Sequence, residues 1–247
     1  MDYSDDNTSP MEKALTLPLI SIGLIIGYFI SMSVVMVIIL KIYGLKPDQL
    51  TNTVTFSAIA INAFLWIGLS IPILSKLKLP TLKTPNLPDC IKYYFIGFGI
   101  MYGSLMVFSI IINLTGFKPQ TQQVAEQVRD MGQSNIILAI IGPALLIPII
   151  EEILFRGILY RAIKVSLPAL YAALISAFLF GLAHRELDTI PQLTILGFIF
   201  AYIYEKSGSI WVPAALHATN NFVTIMILIY MEDIKQMTQS ALFCVLT

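Results

Sequence analysis

The sequence predicts an all-α fold, a polytopic transmembrane helical bundle of about seven spanning helices. Composition is the first reason: hydrophobic residues make up 57% of the 247 and charged residues 12%, where a soluble domain carries about a quarter charged residues. A mean hydropathy of +0.80 is the second. The third is that the apolar residues are gathered into long runs. A bilayer core is about 30 Å thick and takes roughly 20 helical residues to cross.

The first three runs are Leu17–Leu40, Val54–Leu74 and Tyr93–Leu114. The fourth, Asn135–Ala162, carries charges inside it, and Pro143 and Pro148 are expected to kink it and open space beside them. Leu167–His184, a short Ile190–Tyr204 and Ile210–Tyr230 complete the seven. An eighth span would have to come from the mixed tail, Met231–Thr247, which is short for that purpose. Residues 1–16 are polar and acidic and lack the basic start of a signal peptide, so the first run reads as a retained membrane helix. The connector "SKLKLPTLKTPNLPDC" reads as a loop. In "TGFKPQTQQVAEQVRDMGQSN" the part "QQVAEQVRDM" suits a short surface helix. "EKSGS" is a tight turn, with Gly208 suited to a helix C-terminus. No internal repeat appears, so residues 17–230 are expected to form a single membrane domain with a catalytic core over about 133–230. The polar residues 1–16 and the mixed residues 231–247 form its two tails.

Fifteen Lys and Arg balance fifteen Asp and Glu, which gives nucleic acid no field to follow. Cys90 and Cys244 are far apart and have no metal-like spacing. Sorting basic loop residues by side gives nine on the side of the N-terminus (Lys13, Lys76, Lys78, Lys83, Lys92, Arg156, Arg161, Lys164, Lys206) and six on the other. That excess favours a cytoplasmic N-terminus.

Within the apolar fourth run, "PIIEEILFRGIL" holds Glu151, Glu152 and Arg156. A charge at the middle of a membrane helix costs roughly 2.5–3.5 kcal/mol. Glu152 and Arg156 are four residues apart and share a helix face, so they can pair. Glu151 points about 100° away and lacks that partner. The chain has two histidines. His184 follows Phe180 by four residues in "FLFGLAHRE", and His217 precedes Asn221 by four in "IWVPAALHATNNF". Each alone reads as an interior residue; with Glu151 they make polar groups on three membrane helices. Their depths agree if the fourth helix projects beyond the membrane on the side of the N-terminus.

An unpaired carboxylate in low-dielectric surroundings is a stronger base than in water and can take a proton from a water molecule. A neutral histidine can share that proton, and a second histidine with an asparagine amide can hold a developing oxyanion. The set suits hydrolysis of an acyl group, most naturally a peptide bond. Two histidines and a glutamate could instead hold zinc, but the His-Glu-x-x-His pattern on one helix is absent. So is a Gly-x-Ser-x-Gly elbow. A proton relay or transporter would also use buried Glu and His, but paired broken helices in two repeated halves are missing.

Glu151-Glu152-x-x-x-Arg156, Phe180-x-x-x-His184 and His217-x-x-x-Asn221, in this order over roughly Gln133 to Tyr230, resemble the three motifs of the CPBP family. That family comprises type 2 CAAX prenyl proteases and bacteriocin-processing, Abi-type membrane proteins. The resemblance implies an intramembrane glutamic endopeptidase with no essential metal and no cofactor. In it Glu151 and His184 would activate water, His217 and Asn221 would form the oxyanion hole, and Glu152 with Arg156 would support the site. The implied partners are the lipid bilayer and a membrane-associated peptide or protein substrate, prenylated in some members. The implied location is a cell membrane, such as the bacterial plasma membrane, with the site nearer the cytoplasmic face. For a prenylated substrate, Phe178, Phe180, Phe198 and Phe200 could line a groove open to lipid; the other reading of each is an ordinary lipid-facing or packing aromatic. The competing reading is a non-catalytic member that regulates membrane partners or confers immunity. The closing "CVLT" has the form of a prenylation signal, but Thr is not among the usual last residues and chance explains it better.

Overall fold

A computed structural model describes residues 10–46, 51–76, 86–116 and 136–246, with side chains described within 16–46, 51–74, 86–116 and 136–230. The surface helix expected at 122–131 lies outside the described residues.

Among the described residues seven helices follow in order: α1 (Pro10–Tyr43), α2 (Asn52–Lys76), α3 (Leu87–Thr115), α4 (Ile136–Lys164), α5 (Ala169–Ala183), α6 (Ile190–Ser207) and α7 (Trp211–Leu246). Among the described residues there is no strand. Six of the helices are long and apolar enough to cross a membrane, and the chain is a multi-pass membrane protein. α5 has 15 residues, a length of about 22 Å, which is shorter than a bilayer core. The last helix runs on through most of the tail, to Leu246.

α4 is continuous but not uniform. Two wider π-helical segments, Ile140–Leu146 and Ile153–Tyr160, flank a six-residue α-helical segment, Ile147–Glu152. Pro143 has no N–H to give the ladder, and the turn around it widens instead of breaking. The expected disturbance by proline is therefore a change of pitch.

α4 is the central element, with half of its apolar window buried. α1 packs on its second half and α2 on its first. Ile25 and Tyr28 of α1 share one core with Ile150, Leu154, Phe155 and Ile158 of α4. α1 and α2 are joined by polar contacts. Ser31 Oγ donates to Asn62 Oδ1 (2.8 Å), and Trp66 Nε1 donates to Ser31 Oγ (2.7 Å). α5 and α6 are in close contact. A Cβ at Gly197 would lie 3.0 Å from Ala177 Cα, and one at Gly181 would lie 2.7 Å from Thr194 Oγ1. Small residues allow this approach where burial from water gives helices no reason to associate. α3 closes the far side through Met101 against Phe200, Ile203 and Leu216. At the turn expected near "EKSGS", Gly208 has φ 66° and its N–H meets the Tyr204 carbonyl at 2.9 Å. Ser209 Oγ then accepts from Trp211 N–H at 3.2 Å and caps α7.

Candidate active site

Three helices deliver the polar residues to one interior position. Glu152 lies at the end of the α-helical segment of α4 and Arg156 one turn on. Both are fully buried, and Arg156 Nη1 donates to Glu152 Oε1 at 2.9 Å. The guanidinium also donates from Nη2 to the Gly197 carbonyl of α6 at 2.8 Å. Its Cζ lies 4.6 Å from the centroid of the Phe180 ring and 5.5 Å from that of the Phe200 ring. A carboxylate, a carbonyl and aromatic faces around the arginine offset part of the cost of its burial, while its Nε has no partner among the described residues.

His217 of α7 completes this group. Its Nδ1 meets Glu152 Oε1 at 3.3 Å, and its Nε2 lies 3.8 Å from Glu151 Oε2. The ring stacks on Phe200 at 5.0 Å. A carboxylate already bound to arginine can only accept, so Nδ1 carries the proton and Nε2 is the nitrogen that faces Glu151. Glu151 is 8% exposed, and its Oε2 has no hydrogen-bond partner among the described residues. Nearly all buried polar atoms find partners; Glu152 Oε2 and Arg156 Nε also lack one among the described residues, and Glu151 differs from Glu152 in having no arginine bound to its other oxygen.

His184 ends α5, half-buried, with Nδ1 at 2.9 Å from the Phe180 carbonyl. That carbonyl must accept, so Nδ1 is protonated and a neutral ring presents Nε2 as a lone pair. Among the described residues no hydrogen bond joins His184 to Glu151. The two histidines are linked instead through Phe180, whose ring centroid is 4.8 Å from that of His184 and 5.7 Å from that of His217. Asn221 is half-buried, and its Nδ2 donates to the Pro143 carbonyl at 3.0 Å, tying α7 to the first π-helical segment. That leaves its second amide N–H for other use.

The structure thus gathers Glu151, Glu152, Arg156 and His217 in direct contact, and places His184 and Asn221 at their edges. Phe180 and Phe200 serve the site as packing for Arg156 and the histidine rings. Phe178 is 50% exposed, and Phe198 packs against the core. The four phenylalanines therefore take ordinary packing and surface positions and do not line one groove, because alternate residues of one helix face opposite ways. Among the described residues, no three His, Cys, Asp or Glu side chains gather as a set of metal ligands.

Two residues of this neighbourhood were not legible in the sequence. Gly197 gives Arg156 its carbonyl. Tyr28 of α1, 7% exposed, interacts electrostatically with Glu151 and is braced edge-on by Trp66 at 5.9 Å. Neither lies in a motif, and Tyr28 looks like any aromatic residue of an apolar run.

Comparison with known proteins meets the same stretch. Residues 133–223 match the family described as Type II CAAX prenyl endopeptidase Rce1-like. Over this segment the chain is similar to that family. All of the residues above except Tyr28 and Trp66 fall inside the matched segment. The chain is also similar to "Putative membrane peptidase YdiL" of Bacillus subtilis (strain 168), with 36% identity over 107 residues, 43% of this chain and 42% of that protein. It is similar to "Uncharacterized protein YyaK" of the same organism, with 28% identity over 193 residues, 72% of this chain and 62% of that protein. This chain thus spans less than two thirds of the length of either relative. No solved structure gives a significant match.

Proposed function

We propose that this protein is an intramembrane endopeptidase that hydrolyses a peptide bond with a water molecule activated by Glu151. The observation that carries the reading is the unpaired, buried Oε2 of Glu151 facing His217 Nε2 at 3.8 Å. Glu152, Arg156 and Gly197 hold that histidine from behind.

In this reading Glu151 accepts a proton as the water oxygen bonds to the scissile carbonyl carbon. His184 Nε2 accepts a hydrogen bond from the same water and orients it. The carbonyl oxygen becomes an oxyanion and is held by the free N–H of Asn221 and by His217 Nε2 when that nitrogen carries a proton. The C–N bond then breaks, and Glu151 returns its proton to the leaving amine. Glu152 and Arg156 touch no reacting atom; they fix the His217 ring. No step requires a metal. The substrate class is a membrane-associated or lipidated peptide, as the family description of the matched segment suggests. The site opens nearer the cytoplasmic face of the host membrane, in keeping with the excess of basic loop residues on the side of the N-terminus.

The test is cleavage by the purified chain in lipid nanodiscs, with lipid-modified and unmodified peptides, with and without a chelator. Cleavage that survives chelation and disappears in Glu151→Gln is expected. Cleavage in Glu151→Gln at the wild-type rate, or restored by zinc after chelation, contradicts the mechanism. A folded protein that cleaves nothing returns the choice to a regulatory or immunity role.

A further inference from the structure

An apolar groove of about 240 Å³ runs between α1 and α5, beside the site but separate from it. Ile22, Ile25, Ile26 and Phe29 of α1 form one wall, and Leu179, Leu182 and Ala183 of α5 the other, with Phe155 as the floor. Ile22, Ile26 and Leu182 are exposed on the outer, lipid-facing surface. One charged residue lines the groove, Arg185. It follows His184, is exposed, and has left-handed backbone at φ 61°. Its guanidinium lies 5.8 Å from the Phe29 ring, and among the described residues no carboxylate pairs with it. A cation on the lipid-facing surface of a membrane protein calls for an anion.

We infer that this groove is a binding site for an anionic phospholipid of the bilayer, with an acyl chain along the α1–α5 walls and the phosphate on Arg185. Charge complementarity selects the head, because the rest of the lining is apolar and the guanidinium is free to make paired hydrogen bonds with phosphate oxygens. The short α5 brings the phosphate within reach. A helix of about 22 Å beside longer ones draws the bilayer surface inward locally, and Arg185 stands at its end. A resident lipid fits better than a substrate's lipid anchor, because Glu151, His184, His217 and Asn221 do not line the groove. Phe155 stands between them, packed edge-on against Phe180 at 5.2 Å. A bound chain would press on Phe155, and through Phe180 on both histidine rings. The binding itself does not depend on any proteolytic activity.

The experiment reconstitutes the full chain into nanodiscs of equal phosphatidylglycerol and phosphatidylcholine, releases it into mild detergent, and identifies the retained lipids by native mass spectrometry. Wild type is expected to retain phosphatidylglycerol over phosphatidylcholine by roughly fivefold to tenfold. Arg185→Gln should remove the preference, Arg185→Lys should keep part of it, and Ile26→Trp, which fills the groove from the lipid-facing side, should lower retention of both lipids. Equal retention of the two lipids by wild type overturns the proposal, and so does an undiminished preference in Arg185→Gln. Displacement of phosphatidylglycerol by an uncharged lipid-modified peptide also overturns it, since the groove would then be a substrate subsite. Because the readout is bound lipid, a failure here leaves the peptidase reading standing, and the reverse holds as well.

Discussion

At the scale of single residues, two adjacent glutamates sit in different surroundings. Glu152 is fully buried and shared between Arg156 and His217, so its loss strands a cation. Removing one partner of a buried ion pair costs about 3–5 kcal/mol. Glu152→Ala and Arg156→Ala should both lower the thermal unfolding temperature and the yield of folded protein. Glu151→Gln should leave both near wild type, because the Oε2 of Glu151 has no hydrogen bond to lose. Thermal unfolding of the purified variants in detergent checks the contrast; equal destabilisation by all three would make Glu151 a structural residue. Tyr28→Phe keeps the ring against Trp66 and removes only the hydroxyl near Glu151. The hydroxyl acts on Glu151 through its field, with no hydrogen bond between them among the described residues, so the cleavage rate should fall with unfolding unchanged. An unaltered rate would reduce Tyr28 to packing.

At the scale of elements, the pairing of Glu152 with Arg156 was readable from their four-residue spacing, and the seven helices from the apolar runs. The π-helical pitch of α4 was not readable, because widening a turn around Pro143 and breaking the helix there leave the same mark in a sequence. Nor was the link of Asn221 to the Pro143 carbonyl, since its partner is a backbone atom that any residue could supply. Glu151 and His184, expected to act on one water, share no hydrogen bond among the described residues, and the side chain that faces Glu151 directly is His217. Helical spacing fixes which residues share a face, but not how far α7 is turned toward α4. The α5–α6 contact offers a direct check. A side chain at Gly197 would meet Ala177 Cα at 3.0 Å and Arg156 Nη2 at 3.1 Å, whereas one at Gly99 meets nothing within 4 Å. Gly197→Val should therefore part α5 from α6 and displace Arg156, lowering the unfolding temperature by several degrees. Gly99→Val, on the lipid-facing side of α3, should change it little.

At the scale of the whole molecule, the matched segment is only part of the working unit. α1 and α2 lie outside residues 133–223, yet they cover both halves of α4, and α1 brings Tyr28 to Glu151. A polar site in a bilayer needs such a cover, because each charge must be enclosed by partners and shielded from lipid. One measurement tests the central claim most directly: a comparison of protein N-termini in membranes of cells producing the wild-type chain and Glu151→Gln at matched levels. The account predicts a defined set of new termini in wild type that is absent from Glu151→Gln, with a shared sequence around the cut. Identical termini in both, with the wild-type protein folded in the membrane, would contradict it.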